Sequence, residues 1–332
     1  MSLCCGSAMI CAEAGGMSQS ILDAYGATGA VRRHRTVDLL PEKGGAGRVL
    51  KRLSVGALQA LLITELLESG RDCPVLPKVF RPRSGRPYLW LHGNRYLFTE
   101  LLDGKEADYR RAEDLHAAIA AMRRFHDCGR RLIVDNPNRW MTIRINLEQI
   151  WRVRIGEMEA CRSMAIRSRT PWSKQYLKLF HHYCQQAHRA ICELWNSTFE
   201  PMETICYHDW AFHNVLIRGK EARLVDFDYI IVDHPVHDKT NLIGRYLRLF
   251  QWSADALLRA LWNFDRFYGW RRGELRLLRT YLTFPYDFWI LGRQYFIERQ
   301  PWSRSYYQEQ WDRKIAPYGA RERILELLSE IE

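Results

Sequence analysis

The chain has no apolar run approaching the roughly 18–20 residues that a membrane-crossing helix needs, so a soluble protein with no membrane partner is expected. Its nine cysteines, at positions 4, 5, 11, 73, 128, 161, 184, 192 and 206, include no Cys-x-x-Cys pair. An odd count without paired spacing argues against both a zinc site and a disulfide framework, and predicts reduced thiols in a cytoplasmic protein. His181-His182 and the pair His234 and His237 have no neighbouring Cys or Glu cluster, so they read as surface or core histidines. Internal repeats and low-complexity tracts are absent. Acidic residues are in deficit, 38 against 49 basic ones, for a net charge of +11. That excess suggests an anionic partner. It is dispersed, with only small clusters such as Arg32-Arg33-His34-Arg35 and Arg271-Arg272. No nucleic-acid-binding motif accompanies it, so nucleic acid is not the expected partner. Met1 to Gly16 carry no basic residue and too short an apolar run for a secretory signal. A true start at Met17, or a disordered stretch over residues 1–19, accounts for them.

What is present is a chain of 332 residues, 47% hydrophobic and 26% charged, long enough for a large core and two domains or lobes. Its most informative stretch runs from Tyr207 to Tyr229. Asp209 is followed five residues later by Asn214, then by an apolar strand Val215-Leu216-Ile217. A turn at Arg218-Gly219-Lys220 leads to a second apolar strand that ends in Asp226-Phe227-Asp228. Two short strands joined through a glycine form a hairpin, which carries Asn214 at one end and Asp226 at the other. A carboxylate, an amide oxygen and a second carboxylate in this order suit phosphoryl transfer from Mg²⁺-ATP. Asp-x4-Asn alone means little; the succession of loop, strand, turn, strand and Asp-x-Asp carries the signal. The plain alternative is a hairpin whose acidic ends cap turns.

Upstream, Tyr25-Gly26-Ala27-Thr28-Gly29-Ala30-Val31 offers a glycine-containing loop that could cover phosphates, and Pro41 to Gly47 reads as a turn. Val49-Leu50-Lys51-Arg52-Leu53 reads as a strand with a lysine inside it. A lysine there is costly unless paired, so Lys51 either meets the phosphates of a nucleotide or faces water at a sheet edge. A helix over residues 54–69 would bury Leu58, Leu61, Leu62, Leu66 and Leu67. The early place for a glutamate that orients Lys51 holds only Gln59, and Glu65 falls later. Tyr96 to Gly104 reads as a strand entering a turn, where backbone groups around Glu100 and Leu102 could bind an adenine; any antiparallel strand would look similar. From Asp114, read as a helix cap, the chain becomes helical, with Leu115, Ile119, Met122 and His126 facing inward. Helices over 140–196 should break near Arg169-Thr170-Pro171, and residues 238–332 return to helix with Leu242, Leu247, Leu249, Leu257, Leu258 and Leu261 as core candidates. The tryptophans concentrate in the second half, as core or groove-lining aromatics.

Several of these pieces together resemble a known family. Val49-Leu50-Lys51-Arg52, Tyr96-Leu97-Phe98-Thr99-Glu100, Phe125-His126, residues 206–229, His237-Asp238 through Arg245, and Leu282-Thr283-Phe284-Pro285-Tyr286-Asp287-Phe288-Trp289 are similar to the spore-coat CotS-like branch of the aminoglycoside phosphotransferase and choline kinase superfamily. The resemblance implies an α+β, bilobal protein-kinase-like fold. Its small β-rich lobe would span residues 20–103 and its larger, mainly helical lobe residues 104–332, including the hairpin 206–229. It implies Asp209 as catalytic base, Asn214 and Asp226 as Mg²⁺ ligands with Asp228 close by, and Lys51 on the phosphates of ATP. Asp238 resembles the acidic residue that braces the catalytic loop. The implied partners are a nucleotide, a small hydroxyl- or amine-bearing acceptor and, in the spore coat, other coat proteins. Tyr207 stands where the pattern has histidine, Lys51 has no evident glutamate, and the glycine loop is weak. These departures sustain a second reading, a pseudokinase serving as a structural or interaction protein of the sporulating cell.

Overall fold

The computed structural model describes residues 14–29, 31–34, 37–40, 47–70, 72–197 and 202–331. They form two compact units, one comprising the chain up to Lys105 with Arg223–Asp228, the other Glu106–Ala222 with Tyr229–Glu332. The first unit begins with helix α1 (Ala14–Tyr25), inside the stretch where an unstructured start was expected, followed by strands β1 (Arg32–His34), β2 (Val37–Leu40) and β3 (Arg48–Leu53). Helix α2 (Ala57–Ser69) and strands β4 (Val79–Phe80), β5 (Leu89–Leu91) and β6 (Asn94–Glu100) complete it. The sheet is antiparallel, in the order β1-β2-β3-β6-β4, with β5 also paired to β6. The residues of the expected turn Pro41 to Ala46, and those before Ala14, lie outside the described residues.

Apolar pattern dictates how this unit closes. Leu50 and Leu53 of β3 are buried, as are Leu97 and Phe98 of β6. Helix α1 adds Ile21, Leu22 and Tyr25 to the cluster formed with Leu40, Leu50, Tyr96 and Phe98. The Tyr25 ring meets Phe98 edge-on at 4.6 Å, and its hydroxyl donates to the Tyr96 carbonyl at 2.9 Å. Such an aromatic pair with its polar end satisfied adds about 0.5–1.5 kcal/mol beyond area burial. Helix α2 buries Leu62, Ile63, Leu66 and Leu67, whereas Leu58 is 48% exposed. The helix begins three residues later than expected, which puts Leu58 in its first, outward turn.

The second unit opens with β7 (Lys105–Glu106), which straddles the division, and α3 (Ala112–Asp135). Then come α4 (Pro137–Trp140), α5 (Leu147–Ser168), α6 (Pro171–Trp195), β8 (Thr204–Cys206), β9 (Val215–Arg218) and β10 (Glu221–Leu224), whose end belongs to the first unit. Strand β11 (Ile231–Asp233) precedes α7 (Val236–Leu249), α8 (Ala254–Phe267), α9 (Glu274–Thr283), α10 (Tyr286–Phe296), α11 (Arg304–Lys314) and α12 (Tyr318–Ile331). The break expected near Arg169 is present: Thr170 caps α6 by accepting from the Ser173 N–H at 3.1 Å, with proline in the first turn. Helix α3 starts at Ala112, so Asp114 sits in its first turn, where it accepts from the Asp108 N–H at 3.0 Å instead of capping the helix. Of the later core candidates, Leu242, Leu247, Leu257 and Leu261 are buried, and Leu258 is 51% exposed.

Aromatic residues fill the core of this unit, as their number suggested. Trp151 stacks on Phe284 at 4.9 Å, Tyr176 on Phe288 at 4.4 Å, and Trp172 on Tyr295 at 4.2 Å. Strands β8 and β11 pair antiparallel, Ile231 opposite Cys206, and β8 crosses α3 at close range. At the crossing a Cβ added to Gly129 would lie 2.8 Å from the Ile205 nitrogen, so only glycine lets the helix and strand approach this closely. Cys161, Cys184, Cys192 and Cys206 are free thiols, as expected. Cys73 and Cys128 each take part in a disulfide, which corrects the expectation of uniformly reduced cysteines: the absence of a Cys-x-x-Cys pair does not bear on bonds made between positions far apart in sequence. No helix among the described residues is long and apolar enough to cross a membrane.

Candidate active site

In the sheet-bearing unit the structure brings together Lys51, Asp226 and Asp228. Lys51 lies on β3, opposite Val37 of β2 and Leu97 of β6. Its Nζ donates to Oδ1 of Asp226 at 2.6 Å and pairs with Oδ1 of Asp228 at 2.8 Å. Burial pulls the ammonium down, but the two carboxylates outweigh it and hold Lys51 above the usual lysine range. For Asp228 the balance is reversed, since burial outweighs Lys51 and raises its carboxyl. Asp226 has φ of 69°, a left-handed backbone that a non-glycine residue keeps only where its surroundings impose it. Lys51 is thus paired by the Asp-x-Asp segment. Glu65, the later of the two α2 candidates, is half-buried on that helix.

The same unit contains the expected adenine-binding segment. Glu100 closes β6, its N–H donating to the Lys78 carbonyl at 2.8 Å and its carboxylate held by Arg223 at 2.9 Å. Burial raises the Glu100 carboxyl, but Arg223 and the Lys78 N–H outweigh it and leave it below the usual range. Leu101 N–H donates to the Gly47 carbonyl at 2.7 Å. Leu102 is buried, and its backbone groups make no hydrogen bond to any described residue. The glycine-containing segment from Tyr25 is placed differently from expectation. Gly26, with φ of 62°, ends α1, and the Ala27 N–H donates back to the Leu22 carbonyl at 2.9 Å, the pattern of a helix C-cap. Position 30, within that segment, lies outside the described residues.

In the helical unit, β8 delivers the loop that holds Asp209. Asp238, fully buried on α7, accepts from the N–H groups of Tyr207 and His208, each at 2.7 Å, and from Nε2 of His126 at 2.8 Å. With Nε2 donating, Nδ1 of His126 accepts from the Tyr268 hydroxyl at 2.8 Å. Burial raises the Asp238 carboxyl, but His126 and the backbone N–H groups outweigh it and hold it below its usual range. His126 is accordingly a packed helix residue, as expected. Tyr207, at the position where the family pattern has histidine, is fully buried between Phe125 and Trp210, ring centres 5.8 and 5.3 Å away. His208 has φ of 70°, and burial holds its imidazole down at about 3.

Asp209 is held on both oxygens. Arg245 Nη2 donates to Oδ1 at 2.6 Å, and Asn214 Nδ2 donates to Oδ2 at 3.0 Å. That amide geometry leaves Asn214 Oδ1 as the oxygen a cation would take. Arg245 also donates to Asn241 Oδ1 at 2.9 Å, and Asn241 Nδ2 donates to the His208 carbonyl at 2.8 Å. Asp238, Asn241 and Arg245 follow each other at helical spacing along one face of α7, so a single helix braces the whole loop. Sequence reasoning gave Asp238 this bracing part but no role to Asn241 or Arg245; the three-and-four spacing from Asp238 was the available signal. A cavity of about 560 Å³ lies elsewhere in this unit, lined by residues including Arg144, Glu148 and Trp195, and none of the residues above borders it.

No protein-family model and no curated protein matches the chain. Solved structures do. An aminoglycoside phosphotransferase from Alicyclobacillus acidocaldarius subsp. acidocaldarius DSM 446 is similar over 98% of this chain and 97% of its own, at 16% identity and a TM-score of 0.78. A spectinomycin phosphotransferase, solved with ADP and spectinomycin, matches 94% of this chain and 97% of its own at 14% identity and a TM-score of 0.63. A choline/ethanolamine kinase family protein from Mesorhizobium loti matches 94% of this chain and 99% of its own at 14% identity and a TM-score of 0.57. The chain therefore has the α+β, protein-kinase-like fold of aminoglycoside phosphotransferases, with one sheet-bearing unit and a larger helical one. The expected fold class is borne out.

Proposed function

We propose that this protein is an ATP- and Mg²⁺-dependent phosphotransferase acting on a small hydroxyl- or amine-bearing acceptor. The observation that carries the reading is the grip of Asp226 and Asp228 on Lys51, at 2.6 and 2.8 Å, at the end of the segment that starts with Asp209. A strand lysine held by an Asp-x-Asp pair is an arrangement ready to trade a carboxylate for a phosphate oxygen. The fold likeness supports it, since the spectinomycin phosphotransferase neighbour was solved with ADP and spectinomycin.

In this reading Asp209 accepts the acceptor's proton as the new bond to the γ-phosphorus forms and the bond to the ADP oxygen breaks. Lys51 steadies the phosphates that stay behind, and the Leu102 backbone with the Glu100 segment receives the adenine. Asn214 Oδ1 and Asp226, hard oxygen donors, are the residues that fit Mg²⁺, with Asp228 beside Asp226. When bound, the ion supplies charge neutralisation on the transferring phosphates. Arg245 and Asn214 keep the Asp209 carboxylate oriented. The narrower placement in the CotS-like branch, with a coat location and coat-protein partners, rests on the sequence motifs. The pseudokinase alternative rests on the departures from the family pattern, Tyr207 in place of histidine and no glutamate partner evident for Lys51.

Thermal shift separates the two. A rise in Tm with ATP that requires Mg²⁺, and that Asp226→Ala abolishes, supports the phosphotransferase. No rise at millimolar ATP turns the reading to a scaffold protein. By comparison with other groups that stabilise transition-state charge, loss of Asp226 should cost about 3–4 kcal/mol, or roughly 10²–10³ in turnover.

A further inference from the structure

The surroundings of Asp209 within the helical unit say what chemistry an acceptor must bring, and this step rests on the phosphotransferase reading. On α7, Arg245 pairs with Asp209 at 2.6 Å, and one turn further Arg248 pairs with Asp287 of α10 at 3.0 Å. Arg154 on α5 lies with its guanidinium carbon 4.3 Å from the Trp289 ring centre and 5.2 Å from that of Tyr286. Tyr286 directly precedes Asp287, so Arg154 adjoins the Arg248–Asp287 pair, one helical turn along α7 from Arg245 and its partner Asp209. Arg154, Arg245, Arg248 and Arg293 there outnumber Asp209, Asp287 and Glu157, and each of the three carboxylates is already engaged.

Arg154 is the telling member. It is half-buried, and loss of water holds its guanidinium below the usual range. No carboxylate among the described residues forms an ion pair with it. Glu157, three residues on, is taken by Trp289 Nε1 at 2.6 Å and by Arg293 at 3.3 Å. A guanidinium set over an indole, partly stripped of water and with no carboxylate in ion-pair contact, is a fork preset for the paired oxygens of an anion. A polycationic acceptor would meet four positive side chains instead, an arrangement that excludes by repulsion.

We propose that the acceptor carries an anionic group, a carboxylate or a phosphate, beside the hydroxyl or amine that is phosphorylated, and that Arg154 binds that group. The test uses the full chain and four probes: gluconate and glucose 6-phosphate as anionic polyols, glucose as their neutral counterpart, and kanamycin as a polycation. Binding is followed by calorimetry and tryptophan fluorescence, neither of which requires turnover. Both anions, or one of them, should bind about tenfold or more tightly than glucose and kanamycin. Arg154→Gln should weaken anion binding by about tenfold or more at unchanged Tm, with Arg154→Lys retaining part of it. The inference is overturned if glucose or kanamycin binds as tightly as the anions, if neither anion binds at about 10 mM, or if Arg154→Gln binds them undiminished. Preference for carboxylate over phosphate identifies which anion the site takes. An intact Mg²⁺-ATP shift without anion binding sinks this inference alone, and Arg154-dependent anion binding without that shift sinks only the phosphotransferase reading.

Discussion

Arg245 donates to Asp209 across 2.6 Å, fixing one oxygen of the carboxylate while Asn214 fixes the other at 3.0 Å. A carboxylate held on both sides cannot rotate freely, which suits the part of base proposed for Asp209. The strength of that hold depends on Arg245, whose guanidinium is kept below its usual range by burial despite the Asp209 charge.

Replacing Arg245 by Met should therefore lower turnover by roughly ten- to a hundredfold, the equivalent of about 1–3 kcal/mol for a polar partner left unmatched. The KM for ATP should stay unchanged, because in the proposed reaction the affected groups act on the acceptor. Arg245→Lys should recover part of kcat. Steady-state kinetics with ATP varied give both numbers, and an undiminished kcat in Arg245→Met would mean that the pair does not position the base.

Asp238 makes a prediction about pH. Its carboxyl is held below the ordinary 3.8, so its contribution to stability is fully present above that value and is lost as pH falls through the lower folded value. Asp238→Asn should cost about 3–5 kcal/mol near neutrality by breaking a buried, charged network. The difference between wild type and variant should narrow steadily below pH 3.8. Urea midpoints measured from pH 7 down to about 3 would show it; a gap independent of pH would place the stabilising charge elsewhere.

Gly129→Ala should destabilise by about 1–3 kcal/mol through overpacking, of which the better helix propensity of alanine returns at most about 1. The cause is the 2.8 Å approach of an added Cβ to the Ile205 nitrogen and to Thr204 Oγ1. Because β8 leads directly into Tyr207, turnover should fall along with Tm. Calorimetry on the variant reads the first effect, and an unchanged Tm would show that the crossing has room to spare.

The residues that sequence reading could find are those whose chemistry lies in local order. Asp209, Asn214, Asp226 and Asp228 share one loop-strand-turn-strand segment, and Lys51 stood out as a charge inside an apolar strand. Contacts between distant positions were harder to see. Lys51 and Asp226 are 175 residues apart, and no spacing rule announces such a pair, so a partner was sought on α2 instead. The glycines after Tyr25 are compatible with a phosphate-covering loop because a helix C-cap and a glycine loop have the same composition; only the hydrogen bond from Ala27 back to Leu22 tells them apart. The exposed Leu58 and Leu258 show a similar limit, since a leucine at helical spacing faces the core only if the helix starts where the pattern assumes. Fold class survived these local errors because it depends on the order of elements, which the strands of the first unit and the helices of the second preserve.

The loop carrying Asp209 hangs from α7 by the N–H groups of Tyr207, His208 and Trp210, which reach Asp238 and Asn241. Surface loops ordinarily breathe on their own, far faster than the helices around them. This one has surrendered that independence. These amides can reach solvent only when α7 itself loosens, so the loop should keep the slow exchange clock of a core helix, and the Asp209 carboxylate should wander no more than the helix does.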